Sequence, residues 1–353
     1  PTVEQKHDTK PNPFTLELPN GLKCVVNKNK AAPSFSFRIG FAGGLKEEPD
    51  GKNGMFNVLS KMLLRGTKKK DASAIAREID FLAGEIGPYN GRNISGLSGK
   101  FLSKDLKTVL SLTRELLMQT EIKSVELKKI KEEVLSDIRQ RDDDPVGFTF
   151  NRFNELFYDG HPYAKDPMGT EKDVESITVK DLNAFYKRFI GPRRAVIAIS
   201  GDVDEKEVFR LVKDMCSGWK GASSGIVEKR PAVTRQAASI DKKIMQTHMI
   251  FGFEGPGLID EDRFAVEVLD GVLSGMGGRI HRVLREENPY AYAVTFFNQQ
   301  AYETSAMGIY IGTDVTYMKD VQRIARSEIE NIARDGFNDK EIEDGKSYLI
   351  GNH

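Results

Sequence analysis

Three polar side chains, Asn57, Ser60 and Lys61, interrupt the apolar run from Gly54 to Leu64. Their spacing of i, i+3 and i+4 puts them on one face of a helix. Two imidazoles at i and i+4, with a carboxylate between them, would hold zinc and take a proton from its bound water. The residues present have a different chemistry. An ammonium has no lone pair to give, and a carboxamide oxygen is a poor substitute for imidazole on zinc. The histidines, His7, His161, His248, His281 and His353, are scattered, and each reads as a surface or packing residue.

These residues sit among elements that the patterning makes legible. Alternating runs at 14–18 and 22–26 flank Asn20-Gly21, a hairpin signal, and a third run covers 34–41. Helical periodicity follows at 54–64, 72–82, 104–119, 125–139, 147–158 and 179–189, with strands at 94–101 and 194–199. Adjacent hairpins and irregular alternation predict an α+β fold with a mostly antiparallel sheet. A helix at 205–219 closes a first domain, 1–219, and the Gly-, Ser-, Ala- and Pro-containing stretch 220–236 reads as a linker. In the second domain, 237–353, strands are expected at 243–253, 291–298 and 307–312, with helices at 261–273, 278–287, 319–333 and 339–350.

The second domain repeats the first. Lys104-Asp105-Leu106 and Lys319-Asp320-Val321 each open a helix after a strand, and Glu126-Leu127 through Lys131 matches Glu341-Ile342 through Lys346 at the same offset. By that repeat the second copy is truncated, roughly 70 to 80 residues short of the first.

Composition removes several function classes. Lys+Arg and Asp+Glu balance at 52 each, so no global field points to nucleic acid or an anionic membrane. Lys68-Lys69-Lys70 reads as a solvated loop. No apolar stretch is long enough to span a bilayer, and Pro1 opens a polar segment rather than a signal peptide. A chain without an initial methionine is expected to have been processed or cut. A soluble chain of bacterial periplasm or cytoplasm is expected, with the compartment undecided. Cys24 and Cys216 lie far apart in apolar surroundings and read as buried free thiols.

The segment from Gly54 to Thr67 resembles the zinc helix of the pitrilysin/insulinase metallopeptidases, Gly-x-x-His-x-x-Glu-His ending in a Gly-Thr turn. On that resemblance Asn57 and Lys61 stand at the two histidine positions, Ser60 at the general-base glutamate and Asp137 at the third, carboxylate ligand. Gly160-His161-Pro162-Tyr163, the Gly169-Thr170 turn and Ile199-Ser200-Gly201-Asp202-Val203 extend the resemblance over nearly the whole chain. It implies two related domains of the processing-peptidase/LuxS-like fold. It also implies that this is the zinc-less half of the family: the non-catalytic subunit of a bacterial heterodimer, or the carboxy-terminal half of a longer enzyme.

After the turn Ser274-Gly275-Met276-Gly277-Gly278-Arg279, which fits neither nucleotide-binding fingerprint, the resemblance assigns Arg285 and Tyr292 to substrate binding. In such enzymes the matching pair reaches the substrate peptide near the metal. Spacing alone fits equally well an Arg paired to a nearby carboxylate and a Tyr packed on a strand. The expectation is therefore a chain inactive alone and binding no cofactor. A zinc-bearing partner, or an upstream half of the same polypeptide, would supply the metal. The rivals are a purely structural homologue and a chaperone-like peptide-binding module. A further expectation is an ion pair between Lys61 and Asp137 in place of the metal, with Asn57 as a hydrogen-bond neighbour.

Overall fold

The computed structural model describes residues 13–221, 231, 233, 236–274 and 278–352. Along the chain run β1 (Phe14–Glu17), β2 (Lys23–Lys28), β3 (Ser34–Ala42), α1 (Met55–Met62), α2 (Ala72–Phe81), β4 (Glu85–Asn90), β5 (Ile94–Leu102), α3 (Leu106–Met118), α4 (Ser124–Asp143), α5 (Pro145–Phe157), α6 (Glu171–Ser176), α7 (Val179–Phe189), β6 (Ala195–Gly201) and α8 (Glu205–Met215). Then come β7 (Thr247–Pro256), α9 (Arg263–Ser274), α10 (Arg279–His281), β8 (Ala291–Gln300), β9 (Thr304–Thr313), α11 (Met318–Asp335) and α12 (Asp339–Asn352).

The chain forms two compact units, Pro1–Ile138 with Asp166–Val227, and Arg139–Lys165 with Glu228–His353. In the first, a six-stranded sheet has the order β1-β2-β6-β3-β5-β4. Every pairing is antiparallel except β2 with β6. The Asn20-Gly21 turn joins β1 to β2, with Gly21 at φ 89°, a left-handed conformation that favours glycine. Period-two alternation sends Phe35, Phe37, Ile39 and Phe41 of β3 into the core, where they meet Phe56, Leu59 and Met62 of α1. Phe56 packs edge-on against Phe185 and Phe189 of α7, with centroids 4.7 and 5.1 Å away. Burial of this apolar face against the sheet fixes which side of α1 remains for polar residues.

In the second unit the sheet is β7-β9-β8, antiparallel throughout, and β9 leads into α11 and α12. That repeats the β3-β5-β4 order and the β5, α3, α4 succession of the first unit, as two related α+β domains require. Residues 139–165 fold with this unit rather than with the rest of 1–219. The reason is aromatic: Phe150 of α5 stacks on Tyr310 and meets Phe297 edge-on. A Cβ on Gly252 would come within 2.3 Å of the Phe153 ring, so α5 lies close against β7. Most of the expected linker 220–236, and residues 275–277 of the glycine-rich turn, lie outside the described residues. Among the described residues no helix is long and apolar enough to cross a membrane.

Candidate functional site

The amino end of α1 is built on a buried carboxylate. Glu48, 6% exposed, accepts hydrogen bonds from Asn53 Nδ2 (2.7 Å), Gly54 N (2.9 Å) and Phe56 N (2.9 Å). Two of these donors are backbone groups at the helix start, which have no partner within the helix and face the positive end of its dipole. Gly54 has φ 95°, and a Cβ there would sit 2.7 Å from Met168 O. Three side-chain amides then clasp the loop that crosses this end. Asn53 donates to Asp166 O at 3.0 Å, Asn90 to Pro167 O at 2.7 Å and Asn57 to Met168 O at 3.4 Å. Asn57 thus holds backbone; it is not a hydrogen-bond neighbour of the Lys61 pair, contrary to expectation. Ser60 is buried, and its hydroxyl donates back to Phe56 O (2.8 Å) and Asn57 O (3.1 Å) within its own helix.

Lys61 does form the expected ion pair, with Nζ 3.1 Å from Asp137 Oδ2. It stands closer, at 2.6 Å, to Glu133 Oε1, which the sequence reading left out. The other Glu133 oxygen takes Arg65 Nη2 at 2.8 Å. Lys61 lies in the last turn of α1 and Arg65 in the turn that follows it, while Glu133 and Asp137 are i, i+4 on α4, so one turn of α4 presents two carboxylates to the two cations. That spacing was the available signal for Glu133. Lys61 is the least exposed member at 18%. Burial by itself pulls its ammonium down, but hydrogen bonds and charge from Glu133 and then Asp137 outweigh this and hold it above the ordinary lysine value.

These residues do not fit a zinc ion. An ammonium takes up the carboxylates of α4, an amide and a hydroxyl are committed to backbone oxygens, and among the described residues there is no group of three His, Cys, Asp or Glu side chains that could hold a metal. The chemistry this arrangement can perform is electrostatic clamping of α1 to α4.

Arg285 and Tyr292 lie in the second unit. Arg285 belongs to a short π-helical turn, Arg282–Glu286, that continues α10, where an unbroken helix over 278–287 is expected. Asn288 Nδ2 donates to Val283 O (2.9 Å) and Tyr290 N to Leu284 O (3.3 Å), so the turn is closed by its own flank. Leu284 is fully buried beneath it, while Arg285 is exposed and Tyr292, on β8, is 57% exposed. Among the described residues neither side chain has a hydrogen-bond or ion-pair partner. Of the histidines, His161 Nδ1 accepts from Tyr163 N and His248 Nδ1 lies 2.7 Å from Tyr310 Oη, both packing roles. His7 and His353 are outside the described residues.

Comparison with known proteins places this geometry. Residues 23–171 match the model of the Insulinase family (Peptidase family M16), and residues 176–349 that of the Peptidase M16 inactive domain. An uncharacterized zinc protease of Streptomyces coelicolor is 27% identical over 92% of this chain and 73% of its own length. A peptidase M16 inactive domain from Pseudomonas fluorescens superposes with TM-score 0.91 at 22% identity, over 97% of this chain and 84% of that one. A chain of complex III from Candida albicans superposes with TM-score 0.78 at 16% identity, over 96% and 81%. The chain belongs to the insulinase family, peptidase family M16, and its second half matches that family's inactive domain.

Proposed function

We propose that this chain is the non-catalytic partner of a zinc metallopeptidase, as a subunit or as one half of a longer enzyme. It would help to form the chamber that encloses an unfolded peptide, while the partner carries zinc. The observation that carries this reading is the replacement of metal chemistry by an ion pair inside a preserved helical frame. Glu48 still caps α1 and the apolar face is still buried, while Lys61 occupies Glu133 and Asp137. A surface that had lost its role entirely would have no need of the frame.

Arg285 and Tyr292 are the substrate contacts in this reading. A guanidinium offers a planar fork of donors and a phenol one hydroxyl, which together can hold a peptide carbonyl and offset the negative charge that develops on it. Both side chains are exposed, which leaves those donors open to a peptide. The alternative, a structural or chaperone-like homologue without a proteolytic role, is favoured only by the fold it shares with a respiratory-complex chain. The test is reconstitution. The purified chain is mixed with a zinc-bearing family member from the same organism, and cleavage of fluorescein-labelled, reduced casein is followed. Activity that requires both chains supports the proposal. Full activity of either chain alone, unaltered by the other, overturns it.

A further inference from the structure

The segment that presents Arg285 is tied down at a single charged junction. Arg279, the first residue of α10, donates from Nε to Glu328 Oε1 of α11 at 2.9 Å. Its Nη1 donates to Gly336 O, just past the end of α11, at 3.1 Å, and Nε lies 3.7 Å from Glu341 Oε1 of α12. The side chains of Arg279, Glu328 and Glu341 are 21%, 13% and 25% exposed, so this charge is largely withdrawn from water and needs its partners. Glu341 is itself fixed, because its other oxygen accepts from Asn338 N in the capping box that starts α12. Gly336 takes a positive φ of 70°, which turns its carbonyl out of the helix. One guanidinium therefore joins the start of α10 to the end of α11 and the beginning of α12.

At the other end of the segment, Tyr290 stacks on Tyr317 at 4.7 Å and its carbonyl accepts from Thr313 Oγ1 at 2.5 Å. Between these two anchors lies the π turn that carries Arg285. We propose that Arg279 is a positioning residue: through Glu328, Glu341 and Gly336 it fixes the Arg282–Glu286 turn so that the Arg285 guanidinium is held ready for a peptide carbonyl. This rests on the substrate-contact reading of Arg285. A lysine at 279 keeps the charge but not the planar fork that serves a carboxylate and a carbonyl at once.

The test compares Arg279→Ala, Arg279→Lys and Arg285→Ala. Hydrogen exchange of amides 280–287 in the isolated chain is expected to quicken at least tenfold in Arg279→Ala, with α9 and β9 unchanged, and less in Arg279→Lys. In the reconstituted peptidase, Arg279→Ala is expected to lower kcat by about tenfold with KM nearly constant. Adding it to Arg285→Ala should cost nothing further, because the group it positions is already gone. Unchanged exchange in Arg279→Ala overturns the proposal whatever the activity shows. Losses that multiply in the double variant also overturn it, by making Arg279 a structural residue only. If Arg285→Ala leaves turnover untouched, the substrate-contact reading fails, and with it the purpose assigned to Arg279, even where exchange rises.

Discussion

Lys61 Nζ lies 3.1 Å from the Asp137 carboxylate, so an ammonium of α1 and a carboxylate of α4 are bonded directly to each other. A dication needs donors converging on it, whereas an ammonium is itself the donor. Lys61 therefore satisfies the α4 carboxylates without an ion from solution. With Glu133 and Arg65 the pair becomes a four-residue network that joins α4 to the end of α1 and the turn after it.

Replacing Lys61 by Met should lower stability by about 1 kcal/mol near neutral pH, a small figure because Glu133 and Asp137 are around two-fifths exposed. The pH dependence has a definite sign. A lysine held above its unfolded value, about 10.4, contributes its full stabilisation below that value and loses it as pH rises through the folded one. Urea unfolding of the parent and Lys61→Met should therefore differ at neutral pH and converge at strongly alkaline pH. A gap that is constant, or that widens with pH, contradicts this.

Glu48 presents a different case, a buried carboxylate with three donors around it. Glu48→Ala strands Gly54 N and Phe56 N, two backbone donors at a helix start, and should cost about 2–3 kcal/mol. Chemical denaturation measures it. A loss within a few tenths of a kcal/mol would mean that α1 is held by apolar packing alone.

Placing the family's zinc ligands on α1 asks whether this frame can hold a metal. Asn57→His, Ser60→Glu and Lys61→His together would return two imidazoles at i, i+4 and a carboxylate on α1, facing Asp137. The triple variant is expected to take up stoichiometric zinc, measured by isothermal titration or metal analysis of dialysed protein, while the parent binds none there. It should also be somewhat less stable without metal, since the Asn57 bond to Met168 is lost. A triple variant that folds but binds no zinc would show that the α1 to α4 geometry has drifted.

What the sequence made legible, and what it hid, follows from where the forces lie. α7 runs from Val179 to Phe189 as its periodicity predicts, because Thr178 and Asp181 form a capping box that fixes its first residue. β4 was invisible: Glu85-Ile86-Gly87-Pro88-Tyr89-Asn90 carries Gly and Pro and no clean alternation. Its strand character comes from pairing with β5, and Pro is tolerated because β4 is the sheet's edge. The Lys61–Asp137 pair was legible only through the family resemblance, which sets the two positions side by side, because no local pattern joins residues 76 apart in the chain. The Arg279 junction was not legible, since it depends on how α11 ends and α12 begins, which no short spacing encodes.

Cys24 and Cys216 should be inert in the folded chain. Burial pushes both thiols up to about 12, and the thiolate is the reactive form. A disulfide-exchange reagent should label neither quickly in buffer and both in denaturant. Prompt labelling of the native protein would show that this core opens readily.

The last prediction bears on function. In a reconstituted peptidase, Arg285→Ala and Tyr292→Phe should each lower turnover by about 10²-fold, the usual cost of removing one donor from a developing oxyanion. Neither side chain has a partner among the described residues, and both are exposed, so the substitutions should leave stability within about 0.5 kcal/mol of the parent. The combination separates the readings. Contact made in the ground state and transition state alike would raise KM and spare kcat, whereas contact that strengthens with charge lowers kcat. Steady-state kinetics, with unfolding curves on the same samples, provide both numbers. Turnover unchanged in both variants would remove Arg285 and Tyr292 from the substrate site.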